Sequence, residues 1–290
     1  MSLTRQSPCK VNLLLNILGR RQDGFHELES VIQPVPLFDE LEFQQGGQGV
    51  QLTCSEPALP TDSSNLVHRA ASAFLQAARI AEGVSIHLRK RIPLAAGLGG
   101  GSGNAANTLV GLNHLFGHPL PADKLSQIAA TLGSDVPFFL QDNPVLAAGR
   151  GERIAPLDPF PALRGVFALL VHPGFGISTA WAYQTLARYP HALNGRPSRA
   201  QRLIALLKSS DPHLAAKEFY NSLEAPALTK YPLLALLQEF LKAQGAIATL
   251  MSGSGSTTFA LVQSQTAAEE LCERFKTKFG HEYWTAIVPL

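Results

Sequence analysis

The chain has 290 residues, a formal net charge of +2, 46% hydrophobic residues and 16% charged residues. That composition supplies a full globular core and excludes general disorder. The 24 basic and 22 acidic side chains are scattered rather than gathered into a long basic run, so nucleic acid is not expected as a partner.

Cys9, Cys54 and Cys272 are odd in number and far apart. They fit neither a disulfide framework nor a zinc site and suit a reducing, cytoplasmic setting. The opening residues MSLTRQSPCK lead into no signal-type apolar run ending at a cleavage site, and no apolar run reaches the roughly eighteen residues of a membrane span, so no membrane association is expected.

Taken in chain order, KVNLLLNIL alternates with a period of two and reads as a strand, with Lys10, Asn12, Leu14 and Asn16 on one face. An Asp-Gly turn in RQDGF follows, then the extended segments HELESVIQPV, DELEFQ and VQLTC. SSNLVHRAASAFLQAARI has helical spacing, with Asp62, Ser63 or Ser64 as its cap. VSIHLRK alternates again and precedes PLAAGLGGGSGNAAN, after which Ala105, Leu109, Leu112 and Phe116 mark a helix face that starts after Ser102 or Asn104. PADKLSQIAATLG reads as a second helix closed by Gly133. His114 and His118 have the spacing of a helical metal pair, but Gly117 and Pro119 bracket the second histidine and point to a surface turn. The clusters Arg20-Arg21 and Arg89-Lys90-Arg91 read as solvated faces, with an anionic ligand as the alternative.

GERIAPLDPFPALRG carries three prolines and breaks every periodicity, which places a domain boundary there, dividing residues 1–156 from 157–290. Beyond it come a strand VFALLVHP and helices around Thr179–Ala187, Ser198–Lys208, His213–Phe219 and Leu233–Lys242. AIATLMS and STTFALV flank a second glycine loop, Gly253, Ser254, Gly255 and Ser256; a helix from Thr266 and a strand WTAIV finish the chain. This mixture of elements predicts an α+β fold with antiparallel sheets.

Three phosphate-loop readings compete for the first glycine stretch. A Walker A loop needs Gly-Lys-Ser or Gly-Lys-Thr, which the chain lacks. Gly101-x-Gly103-x-x-Ala106 is a formal dinucleotide fingerprint, but RKRIPLAA separates it from the preceding strand. The third reading is a glycine loop feeding a helix start, where side-chain-free backbone amides and the positive end of the helix dipole meet a nucleotide polyphosphate.

PLAAGLGGGSGNAA resembles the second motif of the GHMP kinases, and MSGSGSTTFAL resembles their third. CKVNLLLNILGRRQDGFHELESVIQPV, SNLVHRAA, GSDVPFF and VHPGFGISTAWAY narrow the similarity to the branch acting on 4-diphosphocytidyl-2-C-methyl-D-erythritol in the non-mevalonate isoprenoid pathway. The resemblance implies two domains, the first similar to the second domain of ribosomal protein S5 and the second ferredoxin-like. It implies transfer of the γ-phosphoryl group of ATP, accompanied by Mg2+, to the 2-hydroxyl of a small-molecule substrate with a cytidine diphosphate moiety. Another small-molecule kinase of the family, of homoserine or mevalonate type, and a non-catalytic nucleotide-binding protein on the same fold are the alternatives.

Residue by residue, the resemblance gives Asp135 the role of accepting the substrate hydroxyl proton, beside its own reading as N-cap of a short helix before Pro137. Lys10 becomes the second catalytic residue and Asn12 holds the polyol. Pro93, Leu94, Ala95, Ala96, Gly97, Leu98, Gly99, Gly100, Gly101, Ser102 and Gly103 contact the ATP phosphates, with Asn65 and Leu66 nearer the adenine. Phe25, where the family usually has tyrosine, stacks on the cytosine; His26 reads the base edge, Tyr183 covers the other face, and Thr179 lies near the diphosphate or polyol. Gly253–Ser256 closes the site. No protein ligand for magnesium is assigned, Ser102 being the candidate. In YNSLE, Ser222 stands where the family often has an acid. The protein is expected to act as a monomer or homodimer.

Overall fold

The computed structural model describes all 290 residues. They form two compact units. One comprises Met1–Cys9, Leu37–Pro93 and Gly99–Asp142, the other Lys10–Pro36, Leu94–Leu98 and Asn143–Leu290. Two long strands, β1 (Ser2–Arg20) and β2 (His26–Gln45), contribute residues to both. β2 joins the two segments read separately in the sequence. Its prolines, Pro34 and Pro36, fall between the stretch paired with one neighbour (Leu28–Ile32) and the stretch paired with another (Glu40–Gln45), so neither of those two ladders needs their missing N–H.

In the first unit β3 (Val50–Cys54) and β4 (Val84–Arg89) are parallel neighbours, joined by helix α1 (Leu66–Ala78) as a parallel pair requires. β4 pairs antiparallel with the end of β2, Leu41 facing Leu88 and Phe43 facing Ile86. The sheet is therefore mixed rather than purely antiparallel. Val67, Ala70, Ala71 and Phe74 form the buried face of α1. Its cap is Asn65 rather than Asp62, Ser63 or Ser64: the Asn65 side chain accepts from Val67 N at 2.8 Å, while Asp62 serves the turn before it through Ser64.

Helix α2 (Gly100–Leu115) is buried on nearly all sides and ends between His114 and His118. It begins at Gly100, capped by Gly99, and not after Ser102 or Asn104, so three glycines of the rich stretch belong to its first turn. Gly103 shows why: a Cβ there would lie 2.7 Å from the Pro8 carbonyl oxygen. Helix α3 (Ala122–Leu132) ends at Gly133 as expected, and a 3-10 turn covers Pro137–Leu140. The N-cap of that turn is Val136, not Asp135.

From Asn143 the second unit continues with a hairpin, β5 (Val145–Gly149) and β6 (Arg153–Pro156), of which only β6 falls within the proline-rich stretch that shows no periodicity. Next come β7 (Phe167–His172), α4 (Thr179–Thr185), α5 (Pro190–Leu193), α6 (Arg199–Leu207), α7 (Pro212–Ala216), the short strand β8 (Tyr220–Asn221) and α8 (Glu224–Lys230). α9 (Pro232–Ala243), β9 (Ala248–Met251), β10 (Thr258–Val262), α10 (Gln265–Phe279) and β11 (Trp284–Pro289) complete the chain. The sheet order β11-β7-β10-β9, antiparallel throughout, with α9 and α10 as the connecting helices, is the ferredoxin-like split βαβ arrangement. Leu169, Val171, Ala260 and Val262 on this sheet pack with Leu237, Leu241, Leu271 and Phe275 from the two helices. α4 to α8 are inserted between β7 and α9.

One charged group organises the approach to the first glycine stretch. Asp39, on β2, is completely buried. Its Oδ1 accepts from the backbone amides of Arg91 (2.7 Å) and Ile92 (2.9 Å), and its Oδ2 from Asn104 Nδ2 (3.0 Å) and the Lys90 ammonium. Lys90 is thus an internal ion-pair partner and not part of a solvated face. Asp39→Ala leaves a buried ammonium and two amides unmatched and is expected to cost about 3–5 kcal/mol in denaturant unfolding. A loss below about 1 kcal/mol would contradict this account.

Candidate active site

The second unit brings many of the expected site residues together. Lys10 and Asn12 lie on β1, two residues apart and therefore on one face. Both faces of this strand are buried, so the polar face is no solvent face: Lys10 is 3% exposed and Asn12 4%. The Lys10 ammonium donates to Asn12 Oδ1 and, at 2.9 Å, to the Gly97 carbonyl oxygen. Its backbone amide donates to Leu98 O at 3.0 Å. Asn12 Nδ2 donates in turn to Ser30 Oγ at 2.9 Å, which fixes the amide's orientation.

Gly97 is also the meeting point of the two glycine loops. Its φ is +77°, and a Cβ built there would stand 2.0 Å from Ser252 O and 2.9 Å from Gly255 N. Ser252 Oγ donates to Gly97 O at 3.0 Å, and Thr257 N donates to Ala96 O at 3.1 Å. A side chain at Gly253 would touch Lys10 Nζ at 3.0 Å. Leu94–Leu98 and Gly253–Ser256 are therefore one packed backbone assembly with an ammonium beneath it. Ser254 Oγ shares a 2.9 Å hydrogen bond with Thr179 Oγ1 at the start of α4, and Ser256 donates to Phe175 O.

His26 and Tyr183 face each other with ring centroids 5.3 Å apart and planes tilted by 40°. Burial, reinforced by Arg20, holds the His26 imidazolium pKa below the usual histidine value. Phe25 is 52% exposed, and the Arg150 guanidinium lies 4.6 Å from its ring centroid.

The other expected residues belong to the first unit: Asn65, Leu66, Pro93, Gly99, Gly100, Gly101, Ser102, Gly103 and Asp135. The Asn65 side chain is consumed by the cap of α1 and by a 2.6 Å bond to Pro60 O, and its backbone is engaged as well, the amide donating to Asp62 O and the carbonyl accepting from Arg69 N. The first turn of α2 has neither a side-chain cap nor an acidic residue, so its leading amides are open to an anion. Ser102 lies in that turn, half-buried. Asp135 is half-buried in the turn after α3.

Two positioning residues escaped the sequence reading, although YNSLE had drawn attention to their neighbourhood. Asn221 is buried, and its Nδ2 donates to Met251 O (2.8 Å) and Gly253 O (2.7 Å) while Oδ1 accepts from Leu223 N. Glu224 Oε1 accepts from Met251 N at 2.8 Å and from Gln238 Nε2 at 2.7 Å. Together they pin the strand end from which the second glycine loop departs. Ser222 is a strand partner: its amide donates to Leu15 O and its Oγ accepts from Ile17 N.

This arrangement of glycine loops on an α+β frame defines a class. Residues 65–143 match the GHMP kinases N terminal domain and residues 203–281 the GHMP kinases C terminal domain. The chain belongs to the GHMP kinase family. Within that family it is 40% identical over 284 residues to the 4-diphosphocytidyl-2-C-methyl-D-erythritol kinase of Synechococcus sp. (strain JA-2-3B'a(2-13)), covering 95% of this chain and 90% of that protein. It is 38% identical to the protein of the same name from Geobacter sulfurreducens, covering 95% of each. A crystal structure of a 4-(cytidine 5'-diphospho)-2C-methyl-D-erythritol kinase superposes with a TM-score of 0.79 at 34% identity, over 99% of this chain and 100% of that one. Homoserine kinase from Cytophaga hutchinsonii shares the fold, with a TM-score of 0.75 at 21% identity over 100% and 94% of the two chains.

Burial pushes the Glu224 carboxyl above its usual range, and the hydrogen bonds from Met251 N and Gln238 only partly oppose the shift. The native chain therefore binds this proton more tightly than the unfolded chain does. Its favourable contribution is complete below the unfolded value, about 4.3, and is lost as pH rises through the raised native value. Glu224→Gln keeps the acceptor and removes the titration. Urea midpoints measured across that window should fall with pH in the native protein relative to the variant; parallel profiles would show that this carboxyl is not the cause.

Proposed function

We propose that this protein is a small-molecule kinase that transfers the γ-phosphoryl group of ATP to the 2-hydroxyl of 4-diphosphocytidyl-2-C-methyl-D-erythritol, giving the 2-phosphate and ADP. The observation that carries the reading is the buried Lys10 ammonium, held by Asn12 and the Gly97 carbonyl where two glycine loops meet. The names of relatives at about 40% identity over nearly the whole chain support the choice of substrate. The two matched family segments flank the division between residues 1–156 and 157–290, which we take as the functional halves.

Phosphoryl transfer asks little covalent chemistry of the protein; alignment and charge stabilisation carry the rate. The amides of Gly97–Ser102 and of Gly253, Ser254 and Ser256 receive the phosphate oxygens, helped by the uncapped start of α2, while those of Gly103 and Gly255 donate within the chain to Gly99 O and Ser252 O. Asp135 accepts the proton of the attacking hydroxyl. Lys10 stabilises the charge that develops on that oxygen and Asn12 orients the polyol. Magnesium bound with the nucleotide would supply charge neutralisation on the phosphates. Ser102 Oγ, which makes no hydrogen bond within the chain, fits as its protein ligand. Phe25, His26 and Tyr183 form the cytosine site, and Thr179 meets the diphosphate or polyol. The enzyme works in the cytoplasm, as a monomer or homodimer, within isoprenoid precursor synthesis.

ADP release measured over a panel of 4-diphosphocytidyl-2-C-methyl-D-erythritol, mevalonate and homoserine should show turnover with the first alone. Lys10→Met and Asp135→Asn should each lower kcat by about 10²–10⁴-fold with ATP affinity largely kept. Turnover of homoserine or mevalonate in place of the cytidylyl compound would overturn the substrate assignment, and full activity of Asp135→Asn would overturn the mechanism.

Because burial and Arg20 depress the His26 pKa, the imidazole is neutral at pH 7 and presents both a donor and an acceptor to a base edge. The KM for the cytidylyl substrate should stay flat as pH falls to the ordinary histidine value of about 6.5 and rise only below it. A rise centred at or above that value would remove this role.

A further inference from the structure

A polar cavity of about 630 Å³ lies in the second unit, and the residues assigned above do not line it. Its lining includes Asn16 from β1, Arg196 from the turn after α5, Arg199 and Arg202 from α6, and Lys217 and Glu218 beyond α7. None of Lys10, Asn12, Phe25, His26, Thr179 or Tyr183 lines it. We propose that this cavity is a binding site for a phosphate-bearing anion of the diphosphate class, separate from the catalytic centre.

Charge is the first argument. Three arginines and a lysine converge here, and Glu218 is the single carboxylate in the lining, in a chain whose formal net charge is only +2. Glu218 is shared at ion-pair distance by Arg199 Nε (3.6 Å) and Arg202 Nη2 (3.7 Å), both too long for a hydrogen bond. Hydrogen-bonding capacity is therefore left over. Arg199 Nε is buried with no hydrogen-bond partner, and the guanidinium carbon lies 4.1 Å from the Tyr220 ring centroid. Burial lowers the pKa of this guanidinium, the expected sign when a cation is desolvated without enough compensating charge. An arginine fork held against an aromatic face presents parallel N–H groups to a tetrahedral anion.

Preorganisation is the second argument. Asn16 is fully buried, and its Nδ2 donates to Glu29 Oε1 and to the Arg196 carbonyl, each at 2.8 Å. Glu29 Oε1 also accepts from Ala200 N at 3.1 Å. Gly195 N donates to Ile17 O at 2.7 Å. This buried network fixes the 194–196 turn and the first residues of α6, so that the arginines start from a built wall. The volume exceeds that of one phosphate, which favours a diphosphate or a phosphate with an organic extension.

The test is a calorimetric titration of inorganic pyrophosphate into the full chain saturated with a non-hydrolysable ATP analogue, which occupies the catalytic phosphate loops. Native protein should show one saturable site. Arg196→Gln/Arg202→Gln, both exposed, should weaken it at least about tenfold while leaving kcat and the circular dichroism spectrum unchanged. Arg199→Gln should weaken it similarly. No saturable binding to native protein, or equal binding to the double variant, would overturn the proposal.

Discussion

The second unit depends on a backbone approach that leaves no room for a side chain. Gly97 meets the Ser252–Gly255 turn so closely that a Cβ would lie 2.0 Å from a carbonyl oxygen. Overlap of that kind cannot be relieved by a rotamer change, because the opposing atom is backbone. Glycine at this position welds the loop after β4 to the loop between β9 and β10. The weld sets where the Gly97 carbonyl points, and that carbonyl is one of the acceptors that hold Lys10.

Polar groups inside the protein do the rest of the positioning. Asp39 ties both ends of the first glycine stretch, Arg91-Ile92 on one side and Asn104 on the other. Asn221 and Glu224 tie the start of the second through Met251 and Gly253. Each such group would be costly if left unpaired, by roughly 1–3 kcal/mol for a neutral donor or acceptor and more for a charge. The loops inherit definition from that cost: a glycine-rich segment has a large conformational entropy to lose, and anchors at its ends remove much of it before any ligand arrives.

Much of this was legible in the residues. Alternation located β4 and the part of β1 from Lys10, short apolar runs bounded by breaks located β3, β7, β9, β10 and β11, and helical spacing located α1, whose apolar residues share one buried face. The two glycine loops, and Lys10 with Asn12 on one strand face, were visible directly. What could not be read had physical reasons. The first eight residues of β1 carry a polar, proline-containing pattern and are strand because of their neighbours. β2 continues through two prolines that fall between its pairings with β5 and with β4, where neither ladder needs their missing N–H. The start of α2 was placed too late because glycine's low helix propensity was outweighed by close packing, as the Gly103 contact with Pro8 demonstrates. Lys90 looked like surface because its partner, Asp39, lies 51 positions away in sequence. Asn221 and Glu224 likewise act on residues 27 to 32 positions away, a separation that periodicity does not reach.

The central claim is that backbone amides of the two glycine loops grip a nucleotide triphosphate. Hydrogen exchange on individual amides, followed with and without a non-hydrolysable ATP analogue, tests it most directly. Slowed exchange concentrated at Gly97–Ser102 and at Gly253, Ser254 and Ser256 is the predicted result, Gly255 N being held already by Ser252 O. Tight analogue binding with those amides unchanged, and slowed exchange elsewhere, would contradict it.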